Sequence, residues 1–212
     1  MADYRIENLV VGPVQTNCYF LINEKNNEAI VVDPGDAGKA LYGKANEWGL
    51  TIKAILLTHG HFDHAGGVKE LAELCENIEI IAHEAEKDTL DDPRINLSGM
   101  MGRNPETYQV TRFVADEEEL EFAGFKFRVL FTPGHTAGGC SYYFPNEMIV
   151  FSGDSLFCGS VGRTDFPGGS MSTLVRSVKD KLLSLPDFIK VYPGHDSWTT
   201  IGEERVYNAY LS

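Results

Sequence analysis

The sequence has few cysteines, no long apolar run and a shortage of positive charge. Its four cysteines are Cys18, Cys75, Cys140 and Cys158. Because they are widely spaced and form no C-x-x-C pair, the sequence excludes a dense disulfide scaffold and a zinc ribbon, and we interpret them as reduced thiols of a cytoplasmic protein. No apolar run approaches the ~20 residues of a membrane-spanning helix, and the charged segment 1–7 is unlike a signal peptide.

The charge balance and the length describe an acidic, globular chain. Asp and Glu number 31 against 18 Lys and Arg in 212 residues, which gives a net charge of −13. Such a surface repels phosphate backbones and anionic lipid headgroups, so the sequence argues against nucleic-acid and membrane partners. Hydrophobic residues make up 43% of the chain, and no linker or low-complexity tract divides it. We therefore predict a single domain over residues 1–212.

Apolar, β-rich runs alternate with helical periodicity along the chain, which predicts an α/β or mixed α+β fold. The predicted strands are Ile6–Val11, Cys18–Ile22, Ala29–Val32, Ala54–Leu57, Ile78–Ala82, Phe125–Phe131, Ser141–Phe144, Met148–Phe151 and Ile189–Tyr192. The predicted helices are Ala37–Trp48, Ala65–Leu74, Ser172–Leu183 and Glu203–Leu211.

The densest chemical signal is the segment 59–64, which reads His-Gly-His-Phe-Asp-His. Residues two apart in an extended segment point the same way, so His59 and His61 can bind one ion together. Asp63 and His64 follow where the chain turns into the next predicted helix, and they can face a second ion. The alternative is a polar turn in which Asp63 caps that helix. Four potential ligands within six residues favour a metal site.

Two further histidines, His135 and His195, follow Pro-Gly turns at the ends of predicted strands. With His59 they share a pattern of an apolar strand end, a tight turn and a histidine, which predicts that all three lie at one edge of a sheet structure. Asp154 ends another apolar strand. In isolation it would be an ordinary strand-terminating residue, but beside the histidines it is the carboxylate suited to bridging two cations.

These residues occur in the order that is typical of the metallo-β-lactamase superfamily, which the sequence resembles: Asp after an early strand, H-x-H-x-D-H, then separate His, Asp and His. The match runs from Val31 to His195, 165 of 212 residues. The resemblance implies a four-layer αββα sandwich of two mixed sheets flanked by helices, with two metals at one edge. By resemblance, the metal ligands are His59, His61 and His135 for one ion, Asp63, His64 and His195 for the other, and Asp154 between both.

Individual positions favour one branch of this superfamily. Asp33 resembles the family's buried residue that steadies the histidine loop, a role compatible with capping its own Pro-Gly turn. Asp154 stands where β-lactamases of the commonest subclass have Cys, and His61 stands where flavodiiron proteins have Glu, so the resemblance argues against both. The segments 153–157 and 162–169 resemble the glyoxalase II (hydroxyacylglutathione hydrolase) group. Its short form is indicated, because 17 residues after His195 allow one helix and not the longer form's helical region.

The resemblance implies a metal-dependent hydrolase that cleaves a thioester, S-D-lactoylglutathione or a similar acyl-glutathione. Two divalent ions per chain are expected, Zn in preference to Fe or Mn. Metal binding lowers the pKa of water to roughly 7, and the resulting hydroxide would attack the thioester carbonyl with Asp63 orienting it and Asp154 holding both ions. Arg163 is a candidate for binding a substrate carboxylate, and its alternative role is an ion pair with Asp165.

Two other functions stay open at this point. A run similar to Gly162–Phe166 also occurs in persulfide dioxygenases, which suggests oxidation of a persulfide by a single Fe(II). A metal-stabilised binding domain without catalysis is the other alternative. Seven candidate ligands exceed the four that close a structural zinc site, so the ligand count favours an enzyme.

Overall fold

The computed structural model describes residues 4–100 and 104–211, which fold around two six-stranded sheets. The strands of sheet one, in spatial order, are β1 (Tyr4–Val11), β2 (Thr16–Asn23), β3 (Glu28–Val32), β4 (Thr51–Leu56), β5 (Glu79–His83) and β6 (Arg112–Val114). Strands β1 to β3 are antiparallel and β3 to β6 are parallel. The sheet is therefore mixed, as predicted.

Sheet two comes from the second half of the chain. Its strands are β7 (Glu119–Phe122), β8 (Phe125–Phe131), β9 (Cys140–Phe144), β10 (Ile149–Gly153), β13 (Lys190–Pro193) and β14 (Thr199–Thr200), in the spatial order β14-β13-β10-β9-β8-β7. Only β10 and β13 pair in parallel among its described strands. A separate two-stranded hairpin joins β11 (Leu156–Phe157) to β12 (Ser160–Val161).

The helices are short and lie on the outer faces of the sheets or at the edge between them. They are α1 (Gly38–Glu47), α2 (Phe62–Ala65), α3 (Val68–Leu74), α4 (Lys87–Asp91), α5 (Met171–Ser177, continued by a π-helical turn Val178–Leu182) and α6 (Ile201–Tyr207). In the described ranges, none of them is both long and apolar enough to cross a membrane.

Alternating burial along the central strands explains the layers. In β2, Phe20 and Ile22 pack with α1 and α3, whereas Tyr19 and Leu21 point to the opposite face and pack against sheet two, as the two-residue repeat of a strand requires. The other face of sheet two packs on α5 and α6, for example through Val191. The order helix, sheet, sheet, helix confirms the predicted αββα sandwich.

One predicted helix is divided into two helices in the structure, and the first of them carries two predicted metal ligands, Asp63 and His64. The sequence predicted a helix over Ala65–Leu74, but the structure has α2 starting at Phe62 and α3 starting at Val68. The break falls at Gly67, where an added Cβ would lie 2.6 Å from the Pro34 carbonyl oxygen. This close approach packs the start of α3 onto the loop after β3, so α2 becomes a single turn.

Strand direction brings the important loops together. Strands β3 and β4 run parallel in sheet one, and β8, β10 and β13 share one direction in sheet two. The loops after these five strands contain Asp33, the segment 59–64, His135, Asp154 and His195. As predicted for the strand-turn-histidine pattern, they meet at one edge of the sandwich.

Candidate metal centre

Three histidines form the first group of converging side chains. The Nδ1 atom of His61 lies 3.1 Å from His59 Nε2 and 3.0 Å from His135 Nε2. All three residues are buried. Burial, helped by the neighbouring imidazoles, lowers the pKa of His59 well below its usual value and that of His61 to about 3. The rings of His59 and His61 are therefore neutral. Together with His135 they bring three ring nitrogens to one point, as metal ligands do.

Asp63, His64 and His195 form the second group. The Asp63 Oδ2 atom lies 3.6 Å from His64 Nε2 and 3.3 Å from His195 Nε2. Asp63 lies inside α2 and its side chain turns toward His195, so it does not cap a helix; the cap position of α2 belongs to His61. Burial raises the pKa of Asp63, but the imidazoles of His64 and His195 outweigh that effect and leave it below its usual value.

Asp154 lies between the two groups. Its Oδ2 atom is 3.4 Å from His135 Nε2, and its Oδ1 atom is 3.3 Å from His64 Nε2 and 3.7 Å from His195 Nε2. Burial opposes its charge, but these imidazoles hold the pKa of Asp154 well below its usual range. One oxygen therefore faces each group, which is the geometry that a bridging carboxylate requires.

Unsatisfied buried atoms test whether a metal fits this arrangement. Among the described residues, His64 Nε2 and Asp154 Oδ1 are buried without a hydrogen-bond partner, although buried polar atoms are normally paired. Burial opposes a charge on His64, but the carboxylates of Asp154, Asp63 and Asp33 raise its pKa well above its usual value. The surroundings thus favour positive charge at this point, and nitrogen and carboxylate donors suit Zn, Fe and Mn.

Asp33 makes hydrogen bonds at both ends of the segment 59–64, with His64 and with Thr58, which precedes His59. Its Oδ2 atom accepts hydrogen bonds from His64 Nδ1 at 2.9 Å and from the Thr58 hydroxyl at 2.7 Å, and its Oδ1 atom accepts from the Thr58 backbone amide at 2.8 Å. The Thr58 hydroxyl oxygen is also 3.2 Å from His59 Nδ1 and can accept a hydrogen bond from it. Both imidazoles are therefore held through Nδ1, which keeps Nε2 of each ring directed at the centre.

Two other contacts orient ligands in the same way. His135 Nδ1 donates to the Arg163 carbonyl at 2.7 Å, which leaves its Nε2 for the centre. The Thr16 hydroxyl donates to Asp63 Oδ2 at 3.2 Å. The sequence analysis missed Thr16 and Thr58, because single hydroxyls at strand ends carry no spacing signal.

Glycine is required beside the centre for steric reasons. A Cβ added to Gly194 would lie 2.4 Å from Asp154 Oδ1 and 2.5 Å from His64 Cε1. Gly153 has a φ of +50°, and a Cβ there would lie 2.2 Å from the Thr58 hydroxyl. The Pro-Gly-His and Gly-Asp patterns therefore reflect close approach of backbone to ligand as well as turn formation.

A cavity of about 550 Å³ opens over the two groups. Its polar atoms come from ligands such as His61, Asp63, Asp154 and His195, and much of the rest of its wall is apolar. The apolar lining residues are Val14, Phe62, Leu97, Met100, Phe157, Val161 and Phe166. The β11–β12 hairpin supplies part of this wall, and its exposed, unpaired Cys158 lies in the turn.

Arg163 borders the cavity, but its charge is already partnered. Its guanidinium makes two hydrogen bonds of 2.7 Å to the carboxylate of Asp165 and lies 4.1 Å from the centre of the Phe166 ring. The predicted alternative role, an ion pair with Asp165, is thus present. Binding of a substrate carboxylate by Arg163 stays a prediction.

Comparison with known proteins identifies the family. The model of the metallo-beta-lactamase superfamily matches residues 11–195. The chain belongs to this superfamily. Hydroxyacylglutathione hydrolase GloC of Haemophilus influenzae is 36% identical over 209 residues, which cover 98% of both chains.

Two solved structures have closely similar folds. BLEG-1, described as a B3 metallo-beta-lactamase, superposes with a TM-score of 0.92 at 39% identity and covers 98% of this chain and 100% of its own. TTHA1623 in a di-iron-bound form gives 0.83 at 36% identity and covers 97% and 100%. Asp154 therefore argues only against the β-lactamase subclass that has Cys at that position, and not against β-lactamases in general. The di-iron structure shows that a similar fold can bind iron.

Proposed function

We propose that this protein is a metal-dependent hydrolase that cleaves a thioester, with S-D-lactoylglutathione or a similar acyl-glutathione as substrate. The observation that carries the proposal is the placement of Asp154 between two three-ligand groups, at the floor of a cavity. The similarity to GloC, whose name states hydrolysis of a hydroxyacylglutathione, supports the choice of thioester. A net charge of −13 supports a small molecule as the partner, and the four unpaired cysteines support the cytoplasm as its location.

The chain's own residues divide the chemical tasks. When bound, two divalent ions supply Lewis acidity and an activated water. His59, His61 and His135 would hold one ion, and Asp63, His64 and His195 the other, with Asp154 shared. Ionised Asp63 would also accept a hydrogen bond from the attacking water. The leaving thiol has an ordinary pKa of ~8.5, so a strong general acid is unnecessary.

Helix α6 supports the cavity wall from the C-terminal side. Glu204 accepts a hydrogen bond from the Gly159 amide at 2.9 Å, and Asn208 donates to the Ser160 carbonyl at 3.0 Å. Helix α6 therefore holds the β11–β12 hairpin against the centre. We infer that the thiol carrier contacts this hairpin and the loop of Arg163.

Thiol release from a panel of thioesters tests the proposal. Metal-loaded protein is expected to hydrolyse S-D-lactoylglutathione, to lose this activity after dialysis against a chelator and to regain it when Zn, Fe or Mn is returned. A chromogenic β-lactam and glutathione persulfide serve as comparison substrates, with metal content measured on the same sample. Protein that binds two ions but releases no thiol would overturn the proposal. Oxygen uptake with persulfide by protein holding one Fe would favour the dioxygenase alternative.

The Arg163–Asp165 pair provides a test of substrate charge. Asp165→Asn removes the carboxylate that pairs with the guanidinium, and exposed ion pairs of this kind are weak. We expect kcat/KM for a thioester with a carboxylate on its thiol portion to rise by about 1.4- to 5-fold, while a neutral thioester is unaffected. Arg163→Gln is the control, and it should remove the preference for the anionic substrate. An unchanged ratio between the two substrates would exclude Arg163 from substrate binding.

A further inference from the structure

Glu86 is a buried carboxylate that joins two separate loops. It is fully buried at the end of the short 3₁₀ turn 84–86 that follows β5. Its Oε1 atom accepts a hydrogen bond from the Gly60 amide at 2.9 Å, and its Oε2 atom accepts from the Gly138 amide at 2.7 Å and from the Thr136 hydroxyl at 3.0 Å. Each oxygen therefore serves a different segment of the chain.

These two segments carry the first group of histidines. Gly60 lies between His59 and His61, and Thr136 directly follows His135. The three ligands belong to loops that leave different sheets, and the described contacts of Glu86 run to both loops at once. A change in its carboxylate would alter the spacing between His61 and His135, which is 3.0 Å between ring nitrogens.

The fit around Glu86 is close enough to fix this spacing. A Cβ added to Gly138 would lie 2.1 Å from the Glu86 backbone nitrogen, so the two segments touch without an intervening side chain. Burial raises the pKa of Glu86, and its donors from Gly60, Thr136 and Gly138 oppose that rise. A buried carboxylate is costly unless it is hydrogen-bonded. Here Gly60, Thr136 and Gly138 belong to loops with a metal ligand, and Thr89 of the adjacent helix α4 is a further donor.

We propose that Glu86 is a positioning residue, which sets the separation of His59 and His61 from His135 and thereby the affinity of the first group for a metal ion. The inference depends on the metal-binding part of the proposed function and not on the identity of the substrate. The inference also distinguishes the two groups, because in the described structure Glu86 accepts no hydrogen bond from Asp63, His64 or His195.

The zinc affinity of each group, measured separately, tests this inference. Zn²⁺ binding is measured by competition with a chromophoric chelator in two backgrounds. His195→Ala removes one ligand of the second group and leaves the first group intact. His135→Ala removes one ligand of the first group and leaves the second intact. In the His195→Ala background, Glu86→Gln is expected to lower the affinity of the remaining ion about tenfold or more. In the His135→Ala background it should change the affinity of the remaining ion less than twofold.

The choice of glutamine and the controls follow from the geometry. Glutamine keeps the length of Glu86 but replaces one acceptor oxygen by a donor, so it can serve only one of the two loops. Glu147→Gln alters another buried carboxylate, in the turn before β10, and should leave zinc affinity unchanged in both backgrounds. If Glu86→Gln does not fold, Thr136→Val removes one donor to Glu86 and is expected to weaken zinc binding by the first group alone.

An equal loss of zinc in both backgrounds would assign Glu86 a general structural role and overturn the proposal. Full retention of zinc by the first group would overturn it as well. Because the readout is zinc affinity, a failure to hydrolyse thioesters would contradict the proposed function and leave this result unaffected.

Discussion

Replacing Asp154 by alanine is expected to lower kcat/KM for the thioester by about 10²–10³-fold, the scale on which removal of one preorganised electrostatic group acts. The reason is that one side chain serves both groups, with Oδ2 at 3.4 Å from His135 Nε2 and Oδ1 at 3.3 Å from His64 Nε2. Its loss also leaves His64 with one carboxylate fewer. Less than two metal ions per purified chain should accompany the loss of rate, as measured by elemental analysis.

Asp180→Ala is the matched control for this variant. Asp180 is exposed on the π-helical turn after α5 and belongs to neither group of ligands, so its replacement should leave rate and metal content unchanged. Retention of two ions and of more than half the activity by Asp154→Ala would contradict the bridging role.

Asp33→Asn is the second change for which we expect a large effect. Asparagine tolerates the φ of +50° at this position, but its amide nitrogen faces His64 Nδ1 or the Thr58 hydroxyl in place of an acceptor. If the amide donates to Nδ1, the His64 proton moves to Nε2, the atom that faces Asp154 and Asp63. We expect metal affinity to fall about 10- to 100-fold and the free energy of unfolding to fall by about 1–3 kcal/mol.

Chelator competition and denaturant unfolding of the metal-free protein measure the two effects of Asp33→Asn. Asp36→Asn is the control, because Asp36 lies three residues further on, where its carboxylate accepts a hydrogen bond from the Ala37 amide outside the centre. Equal metal affinities for Asp33→Asn and the unaltered protein would show that Asp33 serves the turn alone.

The sequence was sufficient for the parts of the fold with strong periodicity. Strand β8 is observed at its predicted bounds, and the αββα layers follow the predicted alternation. The strands that were missed, β6, β7, β11, β12 and β14, have two to four residues, too few for any period to appear. The start of α2 at Phe62 was missed as well, since it is set by the packing of Gly67 on the loop after β3.

The candidate site shows the same division between local pattern and tertiary contact. All seven predicted ligands could be named because each lies in a dense motif or at a strand end, where residue type and position are visible in the sequence. The roles of Glu86 and Thr58 could not be predicted, because their hydrogen bonds join distant segments. Glu86 binds Gly60, which is 26 residues away, and Thr58 binds Asp33, which is 25 residues away. Such links depend on which loops meet at the edge of the sandwich, and a single sequence does not show that.

The position of the centre between the sheets has a consequence for the amount of folded protein. His59, His61 and Asp63 lie in the first half of the chain, and His135, Asp154 and His195 lie in the second. The native chain alone brings these halves into register, so an ion that binds there binds the unfolded chain more weakly and shifts the folding equilibrium by mass action. The supply of metal would therefore regulate the abundance and turnover of this protein in addition to its rate.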